Sequence, residues 1–218
     1  MALLELLFPL RCISCSQGGS IHCERCALNW SRSPRLGAVD SLPLLWVARY
    51  SPEVARVLLA AKEDSHRQSQ KIIARTLDRT LEGAVQRGLI APMMPIFLVP
   101  IPSSPRNTIK RGHFHLKSVA RYMTSEFTFL DILETNRQIK DQSGLTSNER
   151  SINIGGAYQV KPQWGSRARS TLRLNGGVVV LCDDLVTTGS SLREAVRALK
   201  VAKISPGFAI SACAVRAH

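Results

Sequence analysis

The chain has 218 residues, enough for one domain of about 150 to 190 residues with a small appendage but not for two large domains. Its composition is 44% hydrophobic and 21% charged, which excludes disorder over most of the length. Lysine and arginine total 29 against 16 acidic residues, so the formal net charge of +13 predicts anionic partners. Residues 1–8 are too short for an export signal, and no apolar run reaches the roughly 20 residues of a membrane span. We therefore expect a soluble, cytoplasmic protein.

Four of the six cysteines form two C-x-x-C pairs near the start of the chain: Cys12, Cys15, Cys23 and Cys26. This spacing predicts one structural zinc ion with four thiolate ligands, because a closed set of sulfurs leaves no position open for a substrate. Disulfides are the alternative, but nothing else in the sequence points to an oxidising compartment. We expect a zinc module over residues 1–32, a polar linker over 31–37 and a second domain over 38–218.

The rest of the chain alternates strand patterns with helix patterns. Buried cysteines are expected at positions 182 and 213. The predicted elements, in order, are a strand at 42–50, helices at 52–62 and 67–86, a strand at 95–102, a helix at 115–125, a strand at 128–133, a strand at 178–181 and a helix at 192–199. This alternation predicts an α/β fold with a mainly parallel sheet covered by helices.

The densest chemical pattern lies at residues 178–191. An apolar strand is followed by the paired acids Asp183 and Asp184, then by a polar turn and a helix. The N-H groups at a helix start bind anions, and the turn offers Thr187, Thr188, Gly189, Ser190 and Ser191. Two carboxylates beside an anion must face hydroxyl groups, Mg²⁺ or both, so a ribose 5-phosphate fits the set. The alternative is a strand end whose acids cap the following helix.

This segment resembles the phosphoribosyl pyrophosphate (PRPP) motif of the type I phosphoribosyltransferases. The resemblance implies that Asp183 and Asp184 hold the ribose hydroxyls, with Mg²⁺ accompanying PRPP. It also implies that residues 187–191 hold the 5-phosphate. Purine-specific members often have a catalytic aspartate where this chain has Thr187, so no catalytic base is assigned.

Further motifs resemble the ComF family of phosphoribosyltransferase-like proteins over nearly the whole chain. They comprise the four cysteines, a helix leading to Lys62, a Val-Pro-Ile-Pro turn, Arg111-Gly112, and a run containing Gln142, Arg150 and Asn153. The resemblance implies a pyrophosphate loop at Pro102 and Ser103, and ligand contacts from Lys62, Arg111, Gln142, Arg150 and Asn153. The chain departs from the usual Arg-Gly-Phe-Asn-Gln at residues 111–115, where His115 replaces the final glutamine.

Members of the ComF family are associated with natural competence and incoming single-stranded DNA. The leading hypothesis is therefore a PRPP-binding protein whose zinc module and basic surface engage single strands and the competence machinery, with Trp30 or Trp164 as a stacking platform. A metabolic phosphoribosyltransferase and a non-catalytic PRPP-sensing regulator are the alternatives. As an enzyme, it would transfer a pentosyl group from PRPP.

Overall fold

A computed structural model describes residues 10–102, 115–136, 154–164 and 176–215 of the chain. Its helices are α1 (Glu24–Ala27), α2 (Pro52–Glu63), α3 (Arg67–Gln86), α4 (His115–Ala120) and α5 (Ser190–Val201). Its strands are β1 (Arg35–Val39), β2 (Leu42–Arg49), β3 (Ile96–Pro100), β4 (Thr128–Phe129), β5 (Leu133–Thr135), β6 (Tyr158–Val160), β7 (Val178–Val186) and β8 (Phe208–Ala214).

Six of these strands form one sheet in the order β1-β2-β8-β7-β3-β4. Strand β1 pairs antiparallel with β2, and all the other neighbours are parallel. The carboxyl ends of β7 and β3 lie side by side, because Val99 pairs with Leu181 and Pro100 with Cys182. The predicted α/β fold with a mainly parallel sheet is confirmed, and it brings the acidic motif next to the Pro-rich turn.

Each face of this sheet packs into its own hydrophobic core. Since successive side chains of a strand alternate between faces, Val179 and Leu181 of β7 enter the core formed with α5 and the β5–β6 pair. Val180 and Cys182 enter the opposite core, formed with α2, α3 and α4. The two cores make the sheet a fully covered layer, as its near-continuous apolar strands indicate.

Local sequence explains the helices on the second face. Helix α2 begins at Pro52, which needs no N-H partner at the first helical position, and the Ser51 side chain accepts the Val54 N-H at 3.3 Å. Helix α3 has the predicted bounds 67–86 because its apolar residues recur at helical spacing and face the core.

Several predicted boundaries were wrong. Strand β7 continues beyond residue 181 to Val186, so Asp183 and Asp184 lie within a strand rather than in the turn. Helix α5 runs from residue 190 to 201 instead of 192–199, and α4 ends at residue 120 instead of 125. The predicted strand at 128–133 is two short strands, β4 and β5. Residues 35–37, expected in the linker, begin β1.

The cysteine-rich segment, which carries Cys12, Cys15, Cys23 and Cys26, packs against the face of the sheet that carries α2 and α3. Arg56 of α2 donates to the Ser14 carbonyl at 2.6 Å, and Arg79 of α3 donates to the Ser31 carbonyl at 3.2 Å. Trp30 is 4% exposed and belongs to the core on that face. It is therefore not available as the predicted stacking platform. The division into 1–32 and 38–218 remains a prediction. Within the described ranges, no helix has the length and apolar character needed to cross a membrane.

Candidate functional site

The paired acids lie on opposite faces of the sheet, because they are adjacent residues of one extended strand. Asp183 lines a cavity beside the start of α5. Asp184 is 4% exposed and faces α2 and α4. One strand end therefore sends a carboxylate toward each of the two layers that cover the sheet.

Asp184 meets two basic side chains at a single oxygen. Its Oδ2 lies 3.7 Å from Lys62 Nζ and 3.3 Å from His115 Nε2. Burial alone would raise the pKa of Asp184, but Lys62 and His115 outweigh burial and hold the pKa well below its usual range. The Asp184 carboxyl is thus ionised at neutral pH.

Asp183 has the opposite protonation preference. Burial and the neighbouring Asp184 charge raise the pKa of Asp183 well above its usual range, although Lys62 acts against this rise. The backbone N-H of Asp184 donates to Asp183 Oδ1 at 2.9 Å, which fixes the side chain. The two carboxyls thus differ in their preference for a proton, since the pKa of Asp184 is lowered and that of Asp183 is raised.

The turn after β7 forms a cradle that can hold an anion. The cavity beside this turn is lined by Asp183, Leu185, Val186, Thr187, Gly189, Ser190, Ser191 and Leu192. Gly189 caps α5 with φ of 75°, and a Cβ there would lie 2.8 Å from Val39 Cγ1. Because the first helical hydrogen bond runs from Arg193 N-H to Gly189 O, the amides just before Arg193 have no partner within the helix. The cradle thus presents backbone donors where a side chain would not fit.

Arg193 clamps this turn from outside. It donates to the Thr188 carbonyl at 2.8 Å and contacts the Asp40 carboxylate at 3.0 Å. Within the turn, the hydroxyls of Thr188 and Ser190 lie 3.1 Å apart, and the Ser190 N-H lies 3.5 Å from Thr188 Oγ1. The Ser190 N-H, predicted to be free, thus has a long side-chain contact.

The Pro-rich turn lies beside the cradle. The Ile101 N-H donates to the Cys182 carbonyl at 2.9 Å, so pairing with β7 continues one residue past β3. The next residue, Pro102, accepts from the Tyr158 hydroxyl at 3.5 Å. The other predicted contacts, Ser103, Arg111, Gln142, Arg150 and Asn153, lie outside the described residues.

Tyr158 and two residues of α5 were missed by the sequence reasoning. Burial raises the pKa of Tyr158, whereas a hydrogen bond with Ser191 acts to lower it. The carboxylate of buried Glu194 accepts two hydrogen bonds, one from the Tyr158 N-H at 2.9 Å and one from the Arg197 guanidinium at 2.7 Å. This network joins β6 to α5 beside the cradle. In the sequence, the spacing of three residues between Glu194 and Arg197 indicates an ion pair on one helix. Such pairs are usually on the protein surface, so the spacing alone does not point to a buried network.

The four cysteines predicted to bind zinc lie together. Their sulfur atoms are all within 4.8 Å of one another, and all four are free thiols. Burial raises the pKa of Cys12, but N-H groups of Cys23, Cys15 and Ser14 outweigh burial and lower that pKa to about 6. Burial and the neighbouring sulfurs raise the pKa of Cys26 to about 12. The cluster is an arrangement that can bind a metal ion.

Comparison with protein-family profiles identifies the second half of the chain. The phosphoribosyl transferase domain profile matches residues 110–218, half of the sequence. The chain belongs to this family. The matched region contains β7, α5 and His115, whereas Lys62, Pro102 and the four cysteines precede it. A search of curated proteins finds no match for the chain.

The phosphoribosyl transferase domain gives the strand-end site a chemical context. Family membership supports a PRPP-binding, phosphoribosyltransferase-like function for the chain. The sheet itself extends beyond the matched region, because β2 pairs with β8 and β3 pairs with β7. Residues from both halves of the chain therefore build the site.

Proposed function

We propose that this protein binds PRPP with Mg²⁺ at the edge formed by the carboxyl ends of β7 and β3. The observation that carries the proposal is the pair of carboxyls near the end of β7, followed after a short turn by a glycine-capped helix start. The cradle of residues 187–191 would hold the 5-phosphate through backbone N-H groups and hydroxyls. The raised pKa of Asp183 fits a site where a carboxyl lies next to a bound anion, because a protonated carboxyl does not repel the anion.

The roles of the remaining contacts follow from the same placement. Pro102 and Ser103 would meet the pyrophosphate, since the turn after β3 borders the cradle. Arg111, Gln142, Arg150 and Asn153 are proposed loop contacts on the basis of the ComF resemblance. Carboxylate oxygens are suitable Mg²⁺ ligands, and a metal there would neutralise charge on a departing pyrophosphate.

The four cysteines fit zinc as a structural metal. Thiolates around one zinc at about 2.3 Å lie about 3.8 Å apart. Cys15 Sγ and Cys23 Sγ are 3.7 Å apart, and the Cys23 N-H lies 3.4 Å from Cys12 Sγ, where it would stabilise a thiolate. The proposed zinc ion would be held by Cys12, Cys15, Cys23 and Cys26.

Isothermal titration calorimetry with PRPP, with and without Mg²⁺, tests the ligand. We expect Mg²⁺-dependent binding in the wild type and none in a variant carrying Asp183→Asn and Asp184→Asn. Asp131→Asn is the matched control, because it removes a surface carboxylate paired with Lys161. Absence of binding at millimolar PRPP refutes the ligand, and retained affinity in the double variant refutes the role of the acids.

A pyrophosphate-release assay separates the alternatives for chemistry. A metabolic enzyme releases pyrophosphate when the nucleobase or amine acceptor is supplied, and the residues would act mainly by positioning the ribose and its phosphates. A PRPP-sensing regulator shows binding without turnover, and PRPP then changes its affinity for nucleic acid.

We further propose that the protein binds single-stranded DNA without sequence preference, as a ComF-type role in natural competence requires. The net charge of +13 supports this proposal. Affinity for a labelled single strand should fall with salt by about 0.7 log units per contacted phosphate for each tenfold increase. No binding, or a salt slope near zero, contradicts it.

Charge-reversal variants locate the DNA surface in the intact chain. Arg25→Glu with Arg32→Glu changes exposed positions of the cysteine-rich segment, and Lys200→Glu with Lys203→Glu makes the same charge change at the end of α5. If the segment contacts DNA, the first pair lowers both affinity and salt slope more than the second. Equal effects refute a specific role for the cysteine-rich segment.

A further inference from the structure

His115 is a buried histidine at the first position of α4. Its side chain is 2% exposed, and its Nε2 atom lies 3.3 Å from Asp184 Oδ2. Among the described residues, neither ring nitrogen has a hydrogen-bond partner of good geometry, and the 3.3 Å approach to Asp184 Oδ2 is the polar contact that Nε2 makes. Because a buried polar ring without partners is costly, the contact with Asp184 is what the structure offers to offset the burial of this imidazole.

Two basic side chains approach one oxygen of the Asp184 carboxylate, and the Asp183 carboxyl also interacts with this side chain. His115 and Lys62 both approach Oδ2, from α4 and α2 respectively. Within the described part of the chain, no ion pair is formed by Oδ1. A carboxylate fixed through one oxygen keeps the other oxygen in a defined direction. A buried carboxylate without such partners would instead take up a proton.

We propose that His115 is a positioning residue of the PRPP site, which fixes Asp184 through Oδ2 so that Oδ1 can accept from the ribose hydroxyls or bind their Mg²⁺. The inference rests on the PRPP-binding function proposed above. It concerns only the ribose half of the ligand, because the 5-phosphate cradle lies with Asp183 on the opposite face of β7. His115 therefore contacts Asp184 and none of the residues that line the phosphate cradle.

Two substitutions separate positioning from packing. His115→Phe keeps a ring of similar size and removes the donor, whereas His115→Gln keeps an N-H donor that cannot carry a charge. We expect His115→Phe to weaken Mg²⁺-PRPP binding about 10- to 100-fold, the loss typical of a hydrogen bond to a charged group. His115→Gln should restore affinity to within about threefold of the wild type, because the donor is what fixes Asp184.

Inorganic phosphate is the control ligand. A general loss of structure would weaken phosphate binding as well as PRPP binding. Phosphate should bind the cradle equally in the wild type and in His115→Phe, as measured by competition or calorimetry. If phosphate and PRPP affinities fall together in His115→Phe, the residue supports the fold in general and the proposal is overturned. Unchanged PRPP affinity in His115→Phe also overturns it.

Carboxyl-carbon NMR of Asp184 gives a readout that needs no ligand. Removing the contact should shift the Asp184 carboxyl-carbon resonance at neutral pH in His115→Phe, and His115→Gln should largely prevent that shift. An unchanged resonance refutes the contact itself. If the resonance responds to His115 but the wild type does not bind PRPP, the proposed function fails while the His115–Asp184 contact stands.

Discussion

Gly189→Ala tests whether the cradle depends on a residue without a side chain. A methyl group at this position meets two costs, since Gly189 has φ of 75° and the new Cβ would lie 2.8 and 3.0 Å from the two Val39 methyl carbons. The left-handed backbone costs about 1 kcal/mol for a non-glycine residue, and overpacking costs about 1 to 3 kcal/mol more. We expect the free energy of unfolding to fall by about 2 to 4 kcal/mol.

Gly88→Ala is the matched control for the backbone term. Gly88 has φ of 71°, but a Cβ there has no heavy atom within 4 Å. In urea unfolding, the free energy of unfolding of the Gly88→Ala control should fall by only about 1 kcal/mol. Adding Val39→Ala to Gly189→Ala should recover part of the difference, because the substitution removes the methyl groups that the new Cβ meets.

Gly189→Ala should also weaken the proposed phosphate contact. Relief of the clash must move the start of α5 away from Val39, and the backbone donors of the cradle would move with it. Calorimetry with PRPP should show lower affinity for Gly189→Ala than for Gly88→Ala. Equal unfolding free energies for the two variants, or no gain from Val39→Ala, would refute the steric reasoning.

Three further changes have defined outcomes. Wild-type protein should contain one zinc per chain by elemental analysis, and Cys12→Ser with Cys26→Ser should remove it; a folded, metal-free wild type contradicts the zinc site. In the ligand-free wild type, the raised pKa of Asp183 means that the unfolded state loses its proton first as pH rises above about 4. The Asp183 contribution to the free energy of unfolding should therefore fall with pH up to the folded-state pKa, and Asp183→Asn should flatten that slope in urea titrations; an unchanged slope refutes the assignment. Tyr158→Phe removes the hydroxyl near the Pro102 carbonyl and should cost about 0.5 to 1 kcal/mol at most, given the 3.5 Å separation; a loss above about 2 kcal/mol shows a stronger role for the hydroxyl.

Periodicity was sufficient to predict the elements that pack on one face. The apolar spacing of residues 67–86 predicted both ends of α3. The glycine-containing turn after the apolar run of β7 predicted the start of a helix with free N-H groups. These features are local, since a helical stripe or a capped helix start is encoded within one short segment. The same holds for the cysteine cluster, whose spacing alone placed four sulfurs together.

Contacts between distant segments were not predictable in this way. Lys62, His115 and Asp184 come from three separate elements, and only the fold shows that they meet. Strand β7 was predicted too short because adjacent aspartates are unusual inside a strand, yet pairing with β8 includes Asp183 and continues at Leu185 and Val186. Tertiary pairing overrode that local preference. Strand β1 was missed for a similar reason, because Arg35 and Gly37 were assigned to a linker and only the pairing with β2 shows a strand.

The alternation of β7 gives the two carboxyls different neighbours but does not make them independent. Asp184 contacts Lys62 and His115 in the layer of α2 and α4, whereas Asp183 lines the cavity beside α5. Because the Asp184 charge and Lys62 both act on the pKa of Asp183, a change in the layer of α2 and α4 reaches the carboxyl on the opposite face of the sheet. A mutation far from the cavity would therefore alter the proton affinity of the carboxyl that lines it.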